Sequence, residues 1–205
     1  MKKYIICFAL FVAQFGMSQE LNPLKNKEVG VVNIGIDFSK TTFIGAAGFT
    51  NPQDIYNRYL ADWNRILVSE SEKFDFQKSL KLTRYKFDVN PMRKHNLDLV
   101  KPENMVLEHI PTALTESDLA GMVKVYTDID EEFPVAMVWI PEYYNKKTEI
   151  AFIHLVFFEV KSRKIIWTKG LEGKPSGFGV RNYWINQYKY LAKRIKMKQS
   201  KWSKE

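Results

Sequence analysis

The stretch that most restricts the fold lies near the end of the chain. Residues 151–160 (AFIHLVFFEV) and 164–171 (KIIWTKGL) are apolar, β-branched and aromatic runs, separated by the polar triplet Lys161-Ser162-Arg163. Such side chains suit a pleated, half-buried surface, and the polar break between them predicts a β-hairpin. Four glycines close this stretch, Gly170, Gly173, Gly177 and Gly179, and the pattern then predicts a helix opening near Arg181. Strand, turn, strand, glycine loop and helix fix a scaffold without naming a chemistry.

The other end reads as a leader rather than as fold. Lys2 and Lys3 precede an apolar run of 12 residues from Tyr4 to Phe15, and Gly16-Met17-Ser18 supplies small residues before a cut ahead of Gln19. This is the pattern of a secretory signal peptide, and the run falls short of the roughly 20 apolar residues that a spanning helix needs. Cys7, the only cysteine, lies inside it. The expected mature chain therefore has no thiol, which excludes disulfides, cysteine nucleophiles and cysteine metal ligands together. It keeps 29 basic against 23 acidic side chains, a net charge of +6. Export excludes nucleic acid as the expected partner and leaves an anionic envelope surface or an envelope macromolecule.

Residues 19–28 are polar, contain Pro23 and show no period, so they are expected to form a flexible leader to a single domain over 29–197, with a basic tail at 198–205. An apolar fraction of 45% is ample for a core in a chain of this length. Val32, Ile34, Ile36 and Phe38 alternate with polar or small residues, the period of a strand, which Asp37-Phe38-Ser39 ends. Asn51-Pro52 starts a helix whose stripe is Tyr56, Leu60, Trp63 and Leu67. Residues 80–89 predict a bulged strand, and the basic stretch holding His95 predicts irregular chain followed by an extended piece at 97–100. Thr115 opens a helix to about Tyr126. Residues 135–140 form an unbroken apolar run, the mark of a strand buried on both faces. The last helix sets Trp184, Tyr188, Leu191 and Ile195 on one side and Lys189, Lys193 and Lys196 about 140° away. The expected architecture is α+β: about five mainly antiparallel strands with two or three helices chiefly on one face.

Lys169, Lys174 and Arg181 surround the glycine loop, and a helix start attracts anions. The loop nevertheless lacks the third glycine of a dinucleotide fingerprint, any phosphate-loop lysine motif and any nucleophile elbow. The candidate binding face is Lys169, Lys174, Gly177, Phe178, Gly179, Arg181 and Tyr183. His95, His109 and His154 form no pair at metal-ligand spacing, and the acidic loop from Asp128 to Glu132 lacks the glycine and later carboxylate of a calcium loop. No cofactor or metal is expected. An enzyme reading would need His109 or His154 as acid/base beside a carboxylate such as Asp37. The Lys/Trp tail offers a weak peripheral contact with an anionic membrane.

Asp37-Phe38-Ser39, Phe157-Phe158-Glu159-Val160, the Gly173–Gly179 loop and Arg181-Asn182-Tyr183-Trp184 together resemble a family of small exported bacterial proteins carrying a domain of unknown function. A looser likeness runs to exported lipoproteins of the curli-secretion kind, whose lipidation cysteine is missing here. The resemblance implies export and an α+β fold, and transfers no catalytic residue. A non-catalytic binding or assembly factor of the envelope is the expectation that follows.

Overall fold

The computed structural model describes residues 20–205. The signal-peptide segment at 1–18 and Cys7 lie outside the described residues. The strands are β1 (Val31–Ile36), β2 (Thr42–Ile44), β3 (Tyr85–Phe87), β4 (Val106–Leu107), β5 (Val135–Asn145), β6 (Ile150–Glu159) and β7 (Ile165–Gly173). The helices are α1 (residues 52–69, with a π-helical turn at Ile55–Tyr59), α2 (Phe76–Leu80), α3 (Asn90–Leu99), α4 (Glu116–Lys124), α5 (Gly179–Ile185) and α6 (Gln187–Trp202).

All seven strands of the described residues join one sheet, and its topology corrects the expected fold class. β1, β2, β3 and β4 are linked to one another and to β5 by parallel pairings in the order β3-β1-β5-β2-β4, with β6 on the other edge of β5 and β7 beyond it. Only β5–β6 and β6–β7 are antiparallel. The protein is α/β, not a mainly antiparallel α+β sheet of five strands. The hairpin forms as its sequence requires, and Phe157 and Trp184 are buried at 0% and 1% exposure. Parallel partners are joined by long crossovers rather than turns, so no local signal announced them.

Helices also cover both faces of the sheet rather than chiefly one. On the first face α1, α2 and α6 bury Trp63, Phe76, Tyr188, Leu191 and Ile195 against Met137, Trp139, Leu155 and Phe157. On the second, Leu119, Met122 and Val123 of α4 and Met92 of α3 pack on Val32, Ile34, Val138 and Val156. This is what the unbroken apolar run of β5 demanded, because a strand with both sets of side chains buried needs cover above and below. Every residue of β5 except Tyr143 is buried.

Four local expectations change. Residues 80–82 are not strand: Asp75 caps α2, its side chain accepting from the Lys78 amide, and Lys81 ends the helix in the left-handed region. Residues 97–99 belong to α3 rather than to an extended piece. Residues 20–28 are packed rather than a loose leader, with Leu24 only 2% exposed and the Thr83 amide donating to the Lys27 carbonyl. At the far end α6 runs through the expected tail to Trp202, which is 5% exposed and lies 5.7 Å from Trp167.

Candidate functional site

The site grows from a break in the sheet. β1 and β2 lie one after the other along the same edge of β5, and residues 37–41 between them leave the sheet. Their outer neighbours β3 and β4 leave a matching gap, so the outward backbone groups near Ile36 face no strand. Buried peptide groups need partners, and here two asparagines supply them. Asn64 of α1 accepts from the Ile36 amide at 2.7 Å and donates to its carbonyl at 3.0 Å. Asn96 of α3 donates to the same carbonyl at 2.8 Å and accepts from the Phe38 amide at 2.7 Å. Gly35, at φ +95°, leaves room for this clamp, since a Cβ there would stand 2.2 Å from the Asn64 oxygen.

Asp37 follows, fully buried at 0% exposure. Its Oδ1 accepts the Ser39 amide at 2.8 Å and its Oδ2 the Tyr126 hydroxyl at 2.6 Å. His95 Nε2 lies 3.3 Å from the same Oδ2, an ion-pair distance but off the line of a hydrogen bond. Burial alone would push the Asp37 carboxyl up; His95, the Tyr126 hydroxyl and the Ser39 amide more than offset this and hold it below the usual carboxylate range. Burial, and then the neighbouring carboxylate, raise the Tyr126 phenol well above its ordinary value.

His95 borders a cleft between α3 and α4 of about 400 Å³, lined also by Lys40, Leu99, Asp118, Gly121 and Val125. Past Leu99 and Val125 a second hollow of about 270 Å³ continues toward Lys94 and Asp98. The cleft lies at the carboxyl end of β1, where ligands of open α/β sheets bind. Gly121 stands in the middle of α4, where glycine costs roughly 1 kcal/mol relative to alanine. Among the described residues nothing uses the space beside it: a Cβ there meets no atom within 4 Å. Leu99 and Val125 are 47% and 58% exposed at the rim. A groove on the opposite side of α3, about 450 Å³, is lined by Ala61, Arg65, Val68 and Arg93 and holds no buried titratable group.

The second histidine cluster sits on the sheet. His154 Nε2 is 2.9 Å from Glu142 Oε2, which also accepts the Leu114 amide at 3.1 Å. Glu142 is the extra residue of a bulge, inserted between the pairings Pro141–Ile153 and Tyr143–Phe152. The expected partner of Asp37 therefore changes: Asp37 meets His95, His154 meets Glu142, and His109 is exposed without a carboxylate in ion-pair range among the described residues.

The glycine-loop residues run along the β7–α5 connection. Two of its cations are held internally: Lys169 pairs with Glu205 at 2.6 Å and Arg181 with Asp62 at 3.2 Å. The Arg181 carbonyl accepts from Trp63 Nε1, and the Ser176 amide donates to the Tyr183 carbonyl, which closes the loop. Tyr183 lies under Lys146, whose ammonium is 4.4 Å from the ring centre. Lys174, Gly177, Phe178 and Gly179 are exposed, Phe178 at 94%. The helix after them, α5, has seven residues and no side-chain cap. The cleft described above is lined by other residues. Among its own residues, sequence reasoning had marked Asp37 as a strand end and as the carboxylate of the enzyme reading, and Tyr126 only as a helix end; Gly121, inside an otherwise regular helical pattern, was a signal left unread.

No helix among the described residues is long and apolar enough to cross a membrane. No family model matches the chain, and no curated protein sequence matches it. Among solved structures it is similar to the LpoB C-terminal domain from Salmonella enterica, with 14% identity over 72% of this chain and 84% of that one and a TM-score of 0.30. It is also similar to a hypothetical protein from Chlamydia trachomatis, with 12% identity over 85% and 98% of the two chains and a TM-score of 0.33. Likenesses at this level assign neither fold nor function to the chain.

Proposed function

We propose that this chain is an exported protein of the cell envelope that binds an envelope component without converting it, and that the component sits in the cleft between α3 and α4. The observation that carries this reading is Gly121: a helix-weakening residue at the cleft wall, beside space that none of the described residues fills. A cleft of this size lies in the range of ligand sites, which are largely pre-formed and mostly apolar with a few placed polar groups. His95, Lys40 and Asp118 are those groups here, and Leu99, Met122 and Val125 the apolar wall.

Binding is favoured over catalysis by the state of the two buried carboxylates. Asp37 is taken up by the Ser39 amide and the Tyr126 hydroxyl, and Glu142 Oε2 by the Leu114 amide and His154. Each carboxylate accepts a backbone amide and so fixes backbone next to its strand. Export is supported by the Lys2-Lys3, apolar-run and Gly16-Met17-Ser18 pattern.

The test places a photoreactive side chain at Val125, at Phe178 and at exposed Glu131 of the full chain in its own cells. An adduct at Val125 that disappears when Gly121→Trp fills the cleft is the expected result. No adduct at Val125, or one indifferent to Gly121→Trp, overturns the proposal, and an adduct at Phe178 alone moves the binding face to the glycine loop.

A further inference from the structure

The charge of this protein is not spread over its surface. Residues 20–186 hold 22 basic and 22 acidic side chains, while residues 187–205 hold seven basic and one acidic. The whole +6 of residues 20–205 therefore resides in α6 and the three residues after it.

Packing fixes how that charge is displayed. Tyr188, Leu191, Ile195 and Trp202 bury one side of α6 in the core, so the opposite side must face outward. Lys189, Lys193, Lys196, Lys198 and Lys201 are exposed, and none is paired with a carboxylate among the described residues. Two apolar side chains sit in their midst: Met197 at 73% exposure and Tyr190 at 38%. At 100° per residue, Tyr190, Lys193, Met197 and Lys201 fall within about 80° of one another, on the outermost ridge.

We infer that the outer face of α6 is a docking surface for anionic phospholipid. Unpaired cations on a neutral body give the molecule a strong charge asymmetry, which orients this face toward a negative surface. A soluble polyanion would share that attraction. The protruding Met197 and Tyr190 favour a lipid surface over it, because apolar groups flanked by lysines gain by entering the boundary between headgroups and acyl chains. The helix is fixed in advance by its core side, so binding orders no chain.

The experiment is sedimentation of the purified full protein with phosphatidylcholine vesicles and with vesicles that also contain phosphatidylglycerol. Binding is expected only to the second, strong at about 0.1 M salt and lost near 1 M, where the screening length falls from about 10 to 3 Å. Replacing Lys193, Lys196 and Lys201 by Gln together should reduce partitioning on the order of 100-fold, at roughly fivefold per lysine. Met197→Ser with Tyr190→Ser should reduce it by roughly a further tenfold, while leaving binding to soluble polyphosphate unchanged. All five side chains are exposed, so unchanged thermal melting separates these effects from misfolding. Failure of the wild-type protein to sediment with the anionic vesicles overturns the inference. Sedimentation indifferent to the three lysines does so too, and vesicle binding insensitive to Met197 and Tyr190 would make the surface a polyanion site instead.

Discussion

Asp37 shows what one residue can organise and how little of it a sequence reveals. An aspartate after an alternating run is an ordinary strand end, and as such it was legible. Its burial was not, because the groups that stabilise it come from positions 95 and 126, which no spacing rule connects to 37. Its folded carboxyl lies below the unfolded value of about 3.9, so the ionised form contributes stability that is present above about pH 4 and lost as pH falls through the folded value. Tyr126→Phe removes one donor to a buried charge and should cost about 1.5–3 kcal/mol at neutral pH. It should also raise the folded value and shift acid unfolding to higher pH. Urea melts at pH 7 and a fluorescence-monitored acid titration check both; an unchanged acid midpoint would mean that the Tyr126–Asp37 contact does not set it.

At the scale of elements, periodicity found what rests on apolar stripes and missed what rests on polar anchors. α1, α4 and the first half of β5 were read correctly because Leu60, Trp63 and Leu67, then Leu119, Met122 and Val123, then the run from Val135 to Ile140 all bury apolar side chains at regular spacing. α3 was read as irregular because only Pro91, Met92 and Asn96 are buried, and Asn96 is there for its two hydrogen bonds to the β1 end. β2 and β4, three and two residues long, carry too few positions to show a period. The Gly121→Ala variant isolates the role of α4: with no atom near the added Cβ, it should stabilise the protein by about 0.5–1 kcal/mol in denaturant melts. Destabilisation would show that the glycine answers an internal packing need. In α6, Trp202 anchors the last turn against Trp167, and Trp202→Ala should cost about 3 kcal/mol. A neutral outcome by thermal melting would return residues 198–205 to the status of a loose tail.

For the whole molecule, the hairpin was legible and the sheet was not. β5, β6 and β7 pair with sequence neighbours, whereas β5 meets β1 across about 100 residues and β1 meets β3 across more than 50. The both-face burial of β5 implied two helical layers and was the available clue to an α/β architecture. Export is tested on the intact protein: the mass of the chain recovered from outside the cytoplasm should correspond to residues 19–205, and a full-length mass from cytosol contradicts it. The central claim, that the cleft at the carboxyl end of β1 is where a ligand is held, is tested most directly by amide hydrogen exchange with and without solubilised envelope. The account predicts slowed exchange in residues 37–41 and 116–126, with the α1 face unchanged. Slowing confined to residues 174–183, or no change anywhere, contradicts it.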